Sequence, residues 1–311
     1  MPYTTFTMSD MLSIRFIVNP IAGGRDRTAE ITEAVKDVFA DANGLFEIKV
    51  TRSKNDGARL SSSAAKKGFQ TVFACGGDGT INEVAGALVN TDTVLGIVPL
   101  GSGNGFSRSL GIPQNISHAL GLALKGRETR IDVGVAAERF FFATAGIGFD
   151  ALLSERYALR FEQKKKRGIL PYFLIGLREF FKYMPQTTIF RTPEAAFKTT
   201  PFLAVFANTM QYGGGAKIAP RACPSDGVID MCIVHSKNGL PSRLKILRLL
   251  PRLFTGRLAD TDIYRHIQTT GPIEVEMEKA GSIHVDGEPF LAPASFRVEL
   301  LRGALKVWAK G

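Results

Sequence analysis

The first hundred residues alternate between two hydrophobic rhythms. Residues 12–18 (LSIRFIV), 45–51 (LFEIKVT), 71–75 (TVFAC) and 94–99 (VLGIVP) are short, β-branched and almost continuously apolar. Such runs predict strands buried on both faces. Between them apolar residues recur at helical spacing. Ile31, Ala34, Val35 and Val38 predict a helix over Thr28–Phe39 with Thr28 as its candidate cap, and further helices are expected over 56–67 and Ile81–Val89. Strands alternating with helices predict a parallel sheet covered on both faces. Three glycine-bearing loops, Asn19–Gly24, Gly76–Thr80 and Gly101–Gly105, then fall at the carboxyl ends of strands. Ligands of such sheets bind there.

Beyond about residue 130 the pattern changes. Short strand-like runs dominate: Ile131–Ala136, Arg139–Thr144, Phe202–Ala207, Val228–Val234, Ile273–Met277, Ser282–Val285 and Phe296–Leu301. Gly, Pro and Asp turns join them, which predicts a mostly antiparallel β-sandwich. Helical stretches interrupt it at about 151–183 and 240–258. A chain of 311 residues exceeds one ordinary core. The expected division is 1–135, an α/β nucleotide-binding domain, and 136–311, a β-sandwich domain for a second substrate, with a return of the last residues to the first domain left open.

Charge sharpens this division. The net charge is +10, yet residues 1–150 hold 15 basic and 15 acidic side chains, whereas residues 151–311 hold 24 and 14. The whole excess therefore sits in the second half, where it attracts phosphate-bearing surfaces such as anionic phospholipids or nucleic acid. No aromatic stacking pattern supports nucleic acid. Residues 156–182 carry eight basic and two acidic side chains around the apolar run Ile169–Leu177, and residues 243–257 carry five basic residues and no acidic one. Basic and apolar faces together suit a lipid interface. The competing reading is two helices that pack their apolar sides on the sandwich and solvate their basic faces. Ile169–Leu177 is about half the length of a membrane span, and MPYTTFTMSDML lacks a secretory pattern. A cytoplasmic chain, associated only peripherally with membranes, is expected. Cys75, Cys223 and Cys232 form no disulfide or metal pattern and read as small core residues.

The strongest chemical signal is Gly76-Gly77-Asp78-Gly79-Thr80 followed by Asn82-Glu83, ending one strand and opening a helix. Glycines let backbone approach a phosphate, and a helix N-terminus offers unpaired N–H groups. A carboxylate repels phosphate, so Asp78 is expected to hold Mg²⁺ or to position a reacting hydroxyl; the plainer alternative is a turn with Asp78 as N-cap. Asn19-Pro20-x-Ala22-Gly23-Gly24 and Pro99-Leu100-Gly101-Ser102-Gly103-Asn104-Gly105 are weaker singly, but all three loops share one sheet edge. Neither the P-loop nor the dinucleotide fingerprint occurs.

In this order and spacing, NPxAGG, GGDGTxNEV and PLGSGN resemble the diacylglycerol kinase catalytic-domain family, which includes bacterial lipid kinases and the sphingosine and ceramide kinases. Gly146-Ile147-Gly148-Phe149-Asp150, Gly213-Gly214-Gly215, Ser225-Asp226-Gly227 and Val285-Asp286-Gly287-Glu288-Pro289 extend the resemblance over nearly the whole chain. It implies a Rossmann-like first domain of the phosphofructokinase and NAD kinase type, and ATP with Mg²⁺ as cofactors. The implied nucleotide contacts are Asn19, Pro20, Ala22, Gly23, Gly24, Thr51, Gly76, Gly77, Asp78, Gly79, Thr80, Asn82, Glu83, Gly101, Ser102 and Asn104. It implies a proton acceptor at Glu288, with Asp78 as the rival. From the residues alone, Asp286 to Pro289 read equally as a hairpin turn. A second, structural Mg²⁺ is implied at Asp226 with backbone oxygens near Cys223 and Val228, against a simple Asp-Gly turn. Ser102-Gly103-Asn104-Gly105 is closer to the sphingosine and ceramide kinase version than to most bacterial members. The expected reaction is transfer of the γ-phosphate of ATP to a lipid hydroxyl presented from the cleft between domains. The alternative is an NAD kinase-like metabolite kinase, and a homodimer is left open.

Overall fold

A computed structural model describes residues 11–101, 103–162, 176–213, 215–235 and 240–310. The chain divides into two compact units, residues 1–133 with 302–311, and residues 134–301.

The first unit is built on four parallel strands, β1 (Leu12–Val18), β2 (Gly44–Val50), β3 (Thr71–Gly76) and β4 (Val94–Pro99), in the order β2-β1-β3-β4. Helices α1 (Thr28–Val38), α2 (Asp56–Lys66) and α3 (Asp78–Gly86) connect them. The chain leaves β1 for one edge of the sheet and later leaves β3 for the other. β1 and β3 therefore flank the switch point, where the departing loops splay apart and leave a crevice. Every residue of β3 and β4 is buried. Phe16 and Phe73 stack with ring centroids 5.3 Å apart. A side chain on Gly96 would collide with the Phe73 ring, so glycine is the residue that fits in the middle of β4.

Two helix starts differ from the sequence expectation. Thr28 is the first residue of α1 rather than its cap; its N–H donates to the Asp26 carboxylate at 2.8 Å, which does the capping. Helix α3 begins at Asp78, three residues before Ile81, with Gly77 as N-cap. Glycine and aspartate weaken a periodicity reading, yet both suit a helix start.

The second unit holds two antiparallel sheets. Its strands are the end of β5 (Arg127–Ala136), β6 (Arg139–Phe141), β7 (Thr144–Gly148), β8 (Thr188–Arg191), β9 (Ala196–Thr199), β10 (Pro201–Ala207), β11 (Gln211–Gly213), β12 (Ala216–Lys217), β13 (Ile229–His235), β14 (Tyr264–Thr269), β15 (Ile273–Met277), β16 (Gly281–Val285), β17 (Glu288–Ala292) and the start of β18 (Ser295–Ala309). One is six-stranded and runs β14-β13-β10-β7-β16-β17; the other includes β18-β15-β8-β9 with β5 and β6, while β11 and β12 pair as a separate two-stranded ribbon. Phe141, Phe190, Phe206, Met231, Val275, Ile283 and Val298 form one core. Phe202, Val205, Cys232, Tyr264, Ile246 and Leu249 form a second on the opposite face of β10 and β13. The expected sandwich is therefore present, with the central strands β10 and β13 of its six-stranded sheet buried on both faces.

The stretch expected as one strand over Arg139–Thr144 is two strands, β6 and β7. The break has a cause: the Asp286 carboxylate accepts the N–H groups of Phe142, Ala143 and Thr144 at 2.8, 2.8 and 3.0 Å. The helical stretch expected over 151–183 contains a helix at Phe149–Glu162, and residues 163–175 lie outside the described residues. The stretch at 240–258 is two helices, Leu240–Leu247 and Leu250–Thr255, the latter closed by Gly256 at φ 66°. Cys75 and Cys232 are buried, but Cys223 is exposed, against the expectation of three core thiols.

β18 runs 15 residues, and its first part pairs with β15 while Val307 pairs with Leu95 of β4. The last ten residues thus complete the first unit. The Trp308 indole N–H donates to Thr71 Oγ1 at 3.1 Å. Trp308→Ala removes a side chain only 4% exposed. It is expected to cost about 3–5 kcal/mol, read by urea denaturation of the first unit.

Candidate active site

The three glycine loops converge at the carboxyl edge of the first unit's sheet. Gly23 has φ 71°, and a Cβ on it would lie 2.5 Å from Leu100 O. A Cβ on Gly101 would lie 2.9 Å from the Cα of Gly77 and 2.7 Å from Asn104 Oδ1. The loops touch through backbone, and only glycine permits that. The result is a rim of peptide groups unobstructed by side chains.

Side chains then tie the loops to one another. Asn19 Nδ2 donates to Thr80 Oγ1 at 2.8 Å, and Asn19 Oδ1 accepts the Ile21 N–H, so the first loop is fixed to the second. Asp78 Oδ2 accepts the Asn104 N–H at 3.0 Å, fixing the second to the third. Asn104, at φ 52°, caps the short helix Gly105–Ser109 and donates from Nδ2 to Gly101 O and Gln114 Oε1. Its Oδ1 is buried against Gly101, with no hydrogen-bond partner among the described residues. Thr51 N–H donates to Val18 O at the same edge. Pro20 is half-buried and Ala22 buried; Gly24 and Gly79 are exposed, and Gly76 packs against Thr80. Asn82 is half-buried in α3, and Ser102 lies outside the described residues.

Glu83 has a role that sequence reading missed. Its two carboxylate oxygens accept the N–H groups of Asn55 and Gly57 at 2.9 and 3.1 Å, so a side chain of α3 caps the N-terminus of α2. Arg108, also missed, donates to Gly103 O and brings positive charge toward Asp78. Burial raises the Asp78 pKa, against the opposing pull of the Asn104 and Gly105 N–H groups and Arg108.

The second unit contributes a separate constellation. Asp286 and Gly287, at φ 49° and 82°, form a two-residue hairpin between β16 and β17. Both positive angles match the turn that twisted strands favour. The hairpin reading of this motif is thus observed, and Glu288 follows it as the first, exposed residue of an edge strand. Burial pushes the Asp286 carboxyl upward, and the three N–H groups it accepts pull it back. Cys223, Asp226 and Val228 share one turn: Asp226 Oδ1 accepts the Val228 N–H at 3.0 Å, and Cys223 Sγ lies 3.5 Å from Ser225 Oγ. Among the described residues no cluster of three His, Cys, Asp or Glu side chains could hold a metal ion.

Comparison with known proteins identifies the family. Residues 13–136 match the family model described as diacylglycerol kinase catalytic domain, and residues 143–309 match that of the YegS C-terminal NAD kinase beta sandwich-like domain. A protein of Chromohalobacter salexigens named "Probable lipid kinase YegS-like" is 33% identical over 89% of this chain and 87% of its own length. A Mycobacterium tuberculosis protein named "Diacylglycerol kinase" is 32% identical over 94% and 93%. A crystal structure of a Bacillus anthracis diacylglycerol kinase, 21% identical, superposes with a TM-score of 0.75 over 97% of this chain and 98% of that one, a likeness of fold. The family model and these relatives together define a kinase acting on an alcohol group. The chain belongs to the family of YegS-like lipid kinases and diacylglycerol kinases.

A carboxyl whose folded pKa lies above its unfolded value stabilises the fold below the unfolded value and loses that contribution as pH rises through the folded one. Ionised Asp78 is therefore a burden on stability at neutral pH. Asp78→Asn is expected to raise the melting temperature at pH 7, with the gain vanishing near the ordinary carboxyl range of about pH 4. Thermal melts across pH would check this, and an unchanged or lowered value at pH 7 would contradict it.

Proposed function

We propose that this kinase transfers the γ-phosphoryl group of Mg-ATP to the hydroxyl of a lipid at an anionic membrane surface. The observation that carries the reading is the direct backbone contact among Gly23, Leu100, Gly77 and Gly101 in a chain of this family. A rim without side chains suits a triphosphate, because peptide N–H groups can approach its oxygens. When bound, ATP supplies the phosphoryl group and Mg²⁺ offsets its charge. Asp78 orients the third loop and is near enough to the rim for an acidic ligand to Mg²⁺ to be useful there.

Glu288 is the proton acceptor in this reading. The Asp78 carboxylate is already engaged by the Asn104 N–H, whereas Glu288 is exposed and follows a rigid turn. As the lipid oxygen bonds to phosphorus and ADP leaves, the hydroxyl proton passes to the Glu288 carboxylate. A positioned base is worth about 10²–10⁴ in rate. Glu288→Ala is expected to lose that factor with an unchanged melting temperature, since its side chain is on the surface; full turnover would remove Glu288 from the mechanism. A radiolabelled-ATP screen over diacylglycerol, sphingoid, ceramide, phosphatidylglycerol and isoprenoid alcohols, with NAD as the metabolite control, assigns the acceptor. Phosphorylation of NAD alone would overturn the lipid reading.

The membrane part rests on one face of the second unit. Leu177, Phe181, Met184, Leu244, Leu250 and Phe254 are exposed, Met184 to 71% and Phe254 to 61%. Arg243 donates to Phe180 O and Tyr183 O, which brings residues 176–184 beside the helix Leu240–Leu247. Exposed Arg178, Lys182, Arg248, Arg252 and Arg257 accompany the apolar side chains. Apolar groups in a basic rim fit an anionic bilayer. Among the described residues no helix is long and apolar enough to cross a membrane. Co-sedimentation with phosphatidylglycerol vesicles, weakened by salt and by Phe254→Asp and absent with phosphatidylcholine, is the expected result.

A further inference from the structure

The second unit contains a buried acid–histidine pair directly behind the hairpin. His284 lies on β16, opposite Gly146 of β7 on one side and Pro289 of β17 on the other. Asp150 lies in the first turn of the helix Phe149–Glu162 that follows β7. His284 Nε2 lies 3.0 Å from Asp150 Oδ2, with the two side chains 3% and 4% exposed. The other ring nitrogen points at the turn: the Gly287 N–H donates to His284 Nδ1 at 3.3 Å.

These contacts fix the ring chemically. An Nδ1 that accepts an N–H carries no proton, so the proton of the neutral ring is on Nε2 and is donated to Asp150. The pair also dictates its surroundings. A side chain on Gly146 would collide with both Asp150 Oδ2 and His284 Nε2, so the glycine makes room for the pair. A simple hairpin needs neither a buried carboxylate nor a buried imidazole, since its Asp286-Gly287 turn is already favourable and Asp286 is anchored from below.

We propose that His284 is a positioning residue for Glu288. Its Nδ1 holds the peptide of Gly287, the residue immediately before Glu288, while Asp150 sets the tautomer and angle of the ring. The inference rests on the reading of Glu288 as proton acceptor. The Asp286 carboxylate fixes one end of the turn and His284 the other, so the backbone entering Glu288 has one conformation. A base displaced by about 1 Å loses about 10²-fold in rate, which is the scale on which such an anchor matters.

Two substitutions separate the two ring contacts. In His284→Asn the amide oxygen occupies the place of Nδ1 and still accepts the Gly287 N–H. In His284→Gln the amide nitrogen reaches the place of Nε2 and keeps Asp150, but the Gly287 acceptor is gone. Turnover is measured with the lipid of the panel that the wild-type enzyme phosphorylates fastest, alongside amide hydrogen exchange at Gly287. H284Q is expected to lower kcat by about 10²-fold, to leave the KM for ATP within about twofold and to accelerate exchange at Gly287; H284N restores kcat to within about threefold and keeps the amide protected. Equal losses in both variants that track their melting temperatures, or full kcat in H284Q, would overturn the inference. Should H284Q fail to fold, Asp150→Ala releases the ring from its other side and must give the same fast exchange. Glu288→Gln separates the two ideas: full kcat there sinks the proton-acceptor reading, whereas an inactive Glu288→Gln with a fully active H284Q sinks only the role of His284.

Discussion

Backbone N–H groups that leave a strand or helix without a partner must find an acceptor, and the architecture of this protein follows from where carboxylates meet that need. Glu83 serves the start of α2, Asp78 the Asn104 N–H, and Asp286 three consecutive amides between β6 and β7. Asp132 accepts the Gly303 N–H where β18 enters the first unit. Each of these bonds joins segments remote in sequence. Acidic side chains are thus used as connectors between loops, and the glycine rim lies where these connectors bring the loops together.

Such connectors explain what could be read from the chain and what could not. The parallel strands of the first unit were legible because burial on both faces leaves a continuous apolar run, as in TVFAC and VLGIVP. The glycine loops were legible because three of them, each weak alone, follow strands at one edge of the same sheet. The start of α3 was misread because Gly77 and Asp78 carry no apolar periodicity. The division between β6 and β7 was invisible for a different reason. Its cause, Asp286, is more than 140 residues away along the chain. Glu83 looked like a ligand contact because it follows a glycine motif, and only the approach of α2 shows that its oxygens are engaged. Asp150 was read only as part of a glycine motif and His284 escaped notice, because their pairing is a product of the β7–β16 register.

The two units also differ in how they treat charge. The first holds 17 basic and 13 acidic side chains and presents peptide dipoles at its rim, which suits a ligand with its own concentrated negative charge. The second holds 22 basic and 16 acidic side chains, with basic residues beside exposed aromatic and aliphatic side chains. Membership of the lipid kinase family accommodates both features under the function proposed above, in which one substrate is a nucleotide and the other a lipid.

The path of β18 has a temporal consequence. A ribosome releases the chain from its N-terminus, so β4 emerges some two hundred residues ahead of Val307, the neighbour it needs in the sheet. Until then, the flank of β4 and the space reserved for Trp308 stay open to water or to other chains. The nascent first unit therefore waits, incomplete, for almost the whole of synthesis, and its sheet is completed only once the sandwich has been made.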